Sequence, residues 1–532
     1  MIIICVGLFL ISSIFSSGWY AAHDGIFHIY RTEEALNMLK EGQFPLRWAG
    51  NFDQGFGIPL FTFVYPLPYY ITAILSYFTS SIWAVKILTI FAYLSGGIGI
   101  FQIFKKNGSL IAITLSLVYL MTPYQFLNIF VRGALGEILA LGIMPWVLYG
   151  FNHLSSVKKL AWFHPIPLAL LLVAHNFLGI LFTVFLVVYV LLDKKNRSKT
   201  TASILLSISL AAFFLIPMIL QKNLLYSADH PDLNFRFDQH FVTAKQLIYS
   251  KWDYWYSMPG EMDGMSFQLG IAQLLLAVIG SIYIISKRRH AYKELFLVAA
   301  YLGSIFLMHA KSFPIWQNIS ILQSIQFPWR FLFMPAILTP LIIFPLLQSL
   351  SKKKYLIYIL LVILTINFIN VRNYRRPIKF LDLTEYTDLY RLYYNKTSTT
   401  FRTEILPKWS VPNERFKSEE LLVNSGNMTI DSIEFDPLSL TIVINNKPDE
   451  SKGKITILRN YYPGWIAIMD NQTKLNLTPT SEGMIHLFPE IGVHTYYIKI
   501  TSTRLEQIAN IISLAGLISL VYLKSKKPIY ST

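Results

Sequence analysis

Four short clusters of ionisable residues stand beside apolar runs, where a charge is costly and needs a reason. The first is HDGIFHIYR, residues 23–31, in which Asp24 and His28 are four apart and share one face of any helix that continues there. A carboxylate and an imidazole so placed can bind a cation, orient a nucleophile or act as an acid/base pair. The same spacing equally suits an Asp24 that caps the next helix and a His28 resting at the interface. The second cluster is Arg132 and Glu137 in VRGALGE, either a phosphate-holding guanidinium with a carboxylate at the reacting centre, or a local ion pair. The third, His175-Asn176, is a polar break between helices too short to cross alone, so it lines a cavity or simply turns the chain. The fourth is QFPWRF, residues 326–331, where the Arg330 fork suits diphosphate oxygens or anchors the chain at the interface beside Trp329. There is no GxGxxG, P-loop, HExxH or CxxC arrangement, so nothing points to nucleotide hydrolysis or a thiolate metal site.

The elements that must hold these groups are membrane helices. The 532 residues are 54% hydrophobic and 14% charged, against about a quarter charged in a soluble domain. Apolar stretches such as 168–192, 203–220, 331–350 and 508–523 approach or reach the roughly 18–20 residues that span a hydrocarbon core. The net charge of +16 sits in short clusters between those stretches, at 105–106, 158–159, 194–199, 287–289, 352–354 and 524–527. That pattern fits cytoplasmic loops and not a nucleic-acid surface. With the clusters inside, the chain is expected to cross about a dozen times. All four ionisable clusters then fall on the outer side.

The expected organisation is a helical domain over 1–370 with outer loops at 19–81 and 221–266, an outer β-rich domain over 371–505, and a last helix with a basic tail over 506–532. Residues 58–78 are apolar enough to span, but Pro59, Pro66 and Pro68 interrupt the helix ladder, which favours a broken segment at the outer interface. Runs such as SLTIVINN, KITILRN, WIAIMD and VHTYYIKIT are short, β-branched and aromatic, as in an antiparallel β-sandwich. Trp465 there is either sandwich core or a surface on which a sugar could stack. The single cysteine, Cys5, excludes an intramolecular disulfide. The opening apolar run lacks a basic n-region and a clear cleavage site, so it reads as the first membrane helix, and its missing basic flank is compatible with a start further upstream.

The segments HDGIFHIYR, FPLRWAGNFDQGFGIPLFTFVYPLPYY and QSIQFPWRF resemble the bacterial membrane proteins labelled 6-pyruvoyl-tetrahydropterin synthase-related. The tail NYYPGWIAIMD with PEIGVHTYYIKI is similar to the end of large membrane proteins that glycosylate cell-wall polymers. Both groups look like the GT-C superfamily of membrane glycosyltransferases. That resemblance implies a GT-C-like fold in the bacterial plasma membrane and sugar transfer from a polyprenyl-phosphate donor to an extracytoplasmic glycan, polymer or lipid. It places Asp24 at the acidic position after the first helix and Glu137 near the second acidic position, both as catalytic residues. Arg132 and Arg330 would hold the donor phosphate, with His28, His175 and Asn176 lining the site and Trp465 near the acceptor. No DxD pair follows the first helix, so the resemblance leaves a divalent cation open without requiring one. The competing functions are a flippase for lipid-linked sugars and a non-catalytic envelope scaffold.

Overall fold

A computed structural model describes residues 1–192, 196–230, 236–260, 263–287, 292–382, 384, 385, 387, 405–411, 420–448 and 453–525. The basic residues at 194–195, 288–289 and 526–527 fall outside these, as does much of the start of the expected β-rich domain.

The helical part opens with α1 (Ile2–Leu10), which ends before the opening apolar run does, at a 3-10 turn over Ser12–Phe15. After it come α2 (Gly25–Lys40), α3 (Leu60–Phe63) and α4 (Leu67–Leu75). The last two are the broken segment expected at 58–78, each too short to span. The bundle continues with α5 (Ser81–Phe104), α6 (Ser109–Leu120), α7 (Pro123–Phe126), α8 (Leu135–Ser156), α9 (Ile166–Ala174), α10 (Asn176–Leu191) and α11 (Arg197–Leu220). Small elements α12 (Tyr226–Asp229) and α13 (Ala244–Ile248) lie in the long loop before α14 (Ile271–Ser286) and α15 (Tyr292–Met308). Then α16 (Phe313–Asn318), α17 (Ser320–Gln323), α18 (Phe333–Ser349), α19 (Leu356–Val371) and, after the β domain, α20 (Arg504–Ser525) complete the helices.

Among the described residues, five helices are long and apolar enough to cross a membrane, or seven if two bent pairs each count as one span. Three further apolar helices are shorter. The dozen crossings expected from the basic loops compare with these five to seven long spans and three shorter apolar helices among the described residues. Breaks at Thr122-Pro123, His175 and His309 cut several apolar runs into bent or short helices. A helix in lipid must satisfy its backbone internally, so such breaks persist only where protein or a cavity surrounds them. The bundle centre packs through small residues, and a Cβ on Gly142 of α8 would meet the Ala92 carbonyl of α5 at 2.4 Å.

The β domain is antiparallel and two-layered. Its strands are β1 (Leu421–Ser425), β2 (Asn427–Asp436), β3 (Ser439–Lys447), β4 (Lys454–Asn460), β5 (Trp465–Met469), β6 (Thr473–Leu475), β7 (Thr478–Pro479), β8 (Met484–Leu487) and β9 (Gly492–Ile500). One sheet runs β1-β4-β8-β7 and the other β2-β3-β9-β5-β6. Alternate residues of β3 face inward, so Leu440, Ile442 and Ile444 pack against Ile455, Ile457, Ile485 and Ile498. Trp48, from the loop after α2, is part of this core, 5.8 Å from Tyr462 and 6.0 Å from Trp465. Asn460 fastens the same loop by donating 2.8 Å bonds to Asp53 and to the Gly57 carbonyl. On the other side, Ser513 of α20 accepts a hydrogen bond from the Phe213 amide of α11. Loop, sheet and last helix thus meet at one junction.

Candidate functional site

Three backbone irregularities bring the sequence clusters together. Beyond α7 the chain widens into a π-helical turn, Leu127–Arg132, bent by 48° from α6 as part of the 123–132 segment. Such turns are rare and concentrate at functional sites. The turn closes on Gly133 in the left-handed conformation at φ 63°. A Cβ there would lie 2.9 Å from the backbone of Gly25, so only glycine lets the two chains touch. The Asp24 amide then donates to the Arg132 carbonyl at 2.8 Å and the His23 amide to Val131 at 3.0 Å. This contact places the start of α2 against the start of α8. The third irregularity is the extended His175 that separates α9 from α10.

At the centre is Glu137, on the first turn of α8 and 1% exposed. Arg132 Nη1 lies 2.6 Å from its Oε2, and the Tyr124 hydroxyl donates to the same oxygen at 2.6 Å. Arg330 Nε lies 3.2 Å from Oε1, close enough for an ion pair but not aligned as a hydrogen bond. His175 Nε2 stands 3.7 Å from Oε1, while its Nδ1 accepts from the Leu178 amide at the start of α10. Arg132 is oriented further by Asn128 at 2.5 Å and by the Trp329 ring, 4.8 Å from its Cζ. Arg330 also donates to the Ile325 carbonyl at 2.6 Å. A guanidinium fork built into the wall in this way is pre-oriented.

Asp24 behaves differently. It occupies the N-cap position of α2, yet its side chain accepts no hydrogen bond from the first turn. It is half-buried, and its carboxylate makes no hydrogen bond or ion pair with any described residue. Its charge is nonetheless felt by Arg31, Arg132 and the hydroxyls of Tyr65 and Tyr69. The capping role open to it in the sequence is therefore not the one it plays. Beside it, burial holds the His23 imidazole below its ordinary pKa, with the Asp24 charge opposing, and its ring stacks on Tyr256 at 4.5 Å.

His28 is 2% exposed and fixed at both nitrogens: Nε2 accepts from the Leu135 amide at 3.3 Å, and Nδ1 faces the Tyr69 hydroxyl at 2.9 Å. That pattern fixes a neutral ring protonated on Nδ1. Burial and the nearby Arg31 charge hold its pKa well below the usual range. His28 thus joins α2 to α8 and α4, and it has no nitrogen left for a ligand. Asn176 is turned away, donating to the Met218 sulfur on α11. Trp465 is 5% exposed in the sandwich core, which leaves it no free face. Sequence reasoning missed Tyr65, Tyr69 and Tyr124. Tyr65 stacks on His175 at 5.0 Å and on Tyr69 at 6.2 Å, lying so close over Gly136 that a Cβ there would meet its ring at 2.3 Å. The available signal was the i, i+4 spacing of Tyr65 and Tyr69 among prolines.

Arg132 and Arg330 both face Glu137, and the Asp24 charge is felt at Arg132 and Arg31 beside them. Among the described residues, no group of three or more His, Cys, Asp or Glu side chains could hold a metal ion. Both oxygens of Glu137 already face arginines, so the donor set here does not suit a divalent cation. It suits an anion beside an accessible carboxylate.

Similar solved structures include the arabinofuranosyltransferase AftD from Mycobacteria, at TM-score 0.46 and 14% identity, over 70% of this chain and 26% of that one. The oligosaccharyltransferase of Archaeoglobus fulgidus is similar at TM-score 0.47 and 13% identity, over 78% of this chain and 61% of that one. The same organism's oligosaccharyltransferase AglB, in complex with an inhibitory peptide and a dolichol-phosphate, gives 0.47 and 11% over the same shares. The chain thus covers about a quarter of the first structure's length and less than two thirds of the others'. No curated protein matches it. The family described as 6-pyruvoyl-tetrahydropterin synthase related domain, membrane protein, matches residues 61–374, more than half of the 532 and a stretch containing Glu137, His175 and Arg330, and the chain belongs to that family.

Proposed function

We propose that the protein is a GT-C-type glycosyltransferase of the bacterial plasma membrane, moving a sugar from a polyprenyl-phosphate donor to an extracytoplasmic acceptor. The observation that carries this reading is an unpartnered, half-buried Asp24 carboxylate close to a wall where two guanidiniums, Arg132 and Arg330, share the one carboxylate of Glu137. Asp24 takes the proton of an acceptor hydroxyl, whose oxygen attacks the anomeric carbon as the bond from that carbon to the phosphate oxygen breaks. The polyprenyl phosphate leaves with that bonding pair, and Arg132 and Arg330 stabilise the charge that develops on it. Glu137 positions both arginines and Tyr124. Tyr65 stacks on His175 beside Glu137, forming one wall of the site. His28 is a positioning residue that ties α2 to α8.

The test uses the full chain in nanodiscs with a panel of radiolabelled polyprenyl-phosphate sugars and cell-envelope acceptor fractions, with and without EDTA. Wild-type turnover that falls by about 100-fold or more in Asp24→Asn supports Asp24 as the base, in line with general-base contributions of roughly 10²–10⁴. Equal turnover in both proteins moves the base elsewhere. No turnover from either folded protein across the panel sinks the transferase reading.

A further inference from the structure

The long loop before α14 lays a tight hairpin against the Asp24 cluster. Tyr254 bridges Met265, the Trp255 amide donates to the Gly264 carbonyl at 2.8 Å, and the Gly264 amide donates to the Tyr256 carbonyl at 3.1 Å. A Cβ on Gly264 would meet the Trp255 Cβ at 2.3 Å, so a glycine is what lets the two sides close. Asp263 accepts from the Met258 amide at 2.9 Å and from Gln246, which ties the hairpin to α13.

This hairpin touches both halves of the site. The Tyr256 ring stacks on His23 at 4.5 Å, His23 Nε2 donates to the Tyr254 carbonyl at 3.2 Å, and Asp24 is the next residue. Ser257 accepts from Trp329 Nε1 at 3.2 Å, and the Trp329 ring faces Arg132 at 4.8 Å. A segment fastened beside the proposed base and behind the proposed phosphate arginine fixes how far its surface stands from the reacting centre.

That surface is aromatic and open. Trp255 is 63% exposed and Tyr256 45%, and their rings meet at 5.4 Å and 69°. Rings of this size are ordinarily buried, and an exposed group of them on a fixed backbone marks a binding surface. The charges around them are already spent: Lys251 pairs with Asp253 at 3.1 Å, and Asp263 is held within the hairpin. The Lys251 and Asp253 side chains are themselves exposed, four and two residues before Trp255, which disfavours a lipid chain there. A fitting ligand is neutral, with a flat apolar face and hydroxyls at its rim. That is the chemistry of a sugar ring.

We propose that Trp255 stacks one sugar ring of a glycan acceptor beside Asp24, with Tyr256 linking that ring to His23. Its role as an acceptor subsite rests on the transfer reading, whereas the binding of a sugar there does not. Sugar recognition then lies in this loop and not in the β domain, where Trp465 is core.

The test measures binding first. Full-length protein in nanodiscs is titrated with methyl β-D-glucopyranoside, methyl α-D-mannopyranoside, methyl β-D-galactopyranoside and cellotriose, read by saturation-transfer NMR. At least one should bind wild type saturably, weaken about 10-fold in Trp255→Ala and recover most of that loss in Trp255→Phe. Trp255 is mostly exposed and its hairpin bonds are backbone ones, so the unfolding temperature of Trp255→Ala should match wild type. The proposal is overturned if no sugar binds, if Trp255→Ala binds as wild type does, or if brominated lipid in the nanodisc quenches wild type markedly more than Trp255→Phe, which would make Trp255 a lipid anchor. Binding lost in Trp255→Ala with no turnover from any protein sinks the transfer reading alone and upholds the sugar site. Turnover with an unchanged acceptor KM in Trp255→Ala sinks the subsite and leaves the transfer reading in place.

Discussion

Replacing Glu137 with glutamine separates the two carboxylates of the transfer cluster by what each holds. Glu137 is 1% exposed and faces Arg132 at 2.6 Å, Arg330 at 3.2 Å and Tyr124 at 2.6 Å. A glutamine keeps the shape and can still accept from Tyr124, but it leaves two buried guanidiniums without their counter-charge. Removing one partner of a buried pair costs about 3–5 kcal/mol. Asp24→Asn removes no hydrogen bond or ion pair, so its effect on stability should stay within about 0.5 kcal/mol. Thermal unfolding of both variants in the same detergent, followed by tryptophan fluorescence, should show a marked downward shift for Glu137→Gln and almost none for Asp24→Asn. Activity is expected to fall in both. Unfolding of Glu137→Gln at the wild-type temperature, or a larger shift in Asp24→Asn, would refute the division into a positioning and a reacting carboxylate.

Gly136→Ala puts a methyl where the Tyr65 ring lies 2.3 Å away, so Tyr65 must leave His175; overpacking of this kind costs roughly 1–3 kcal/mol, and a thermal shift with loss of turnover is the expected result. Trp48→Ala removes the loop's anchor from the sandwich core and should cost about 3–5 kcal/mol, read as faster proteolysis at the junction between loop and β domain. Asp263, in the loop before α14, has its carboxyl pushed up to about 6 by burial, against hydrogen bonds from Met258 and Gln246. The folded state then binds more protons than the unfolded one between the ordinary aspartate value and about 6, so this group's contribution to stability falls as pH rises through that window. Unfolding temperatures measured across that range should decline less in Asp263→Asn than in wild type, and parallel curves would contradict the assignment.

The elements were legible where the physics is local. Lys454–Asn460 and Trp465–Met469 are strands almost to the residue, because β-branched and aromatic alternation between turn residues has few other readings. β1 and β2 escaped, since LLVNS and NMTIDSIEFD interleave charges and amides in a mostly exposed, edge-side arrangement. The break at His175 was readable because two helices too short to cross must turn somewhere polar. The bends were not, because hydropathy does not register a 48° turn at Pro123 or a 93° turn after Met308. At the site, each ionisable residue was visible but its partner was not. Asp24 meets Arg132 across more than a hundred residues, and only Gly133, a glycine forced by a close backbone approach, hinted at that contact. Trp465 carried two readings in the sequence, and its 5% exposure now makes it core.

What the fold adds to these residues is a difference in burial between groups of like chemistry. Glu137 and Asp24 are both carboxylates beside Arg132, yet one is enclosed with its charge matched and the other is left accessible and unmatched. A matched, enclosed carboxylate fixes the direction of the arginines and has little reason to take a proton. In the proposed transfer the unmatched one is the group that takes the proton of the acceptor hydroxyl. The group left incomplete, and not the one most buried, is the one the proposed transfer uses.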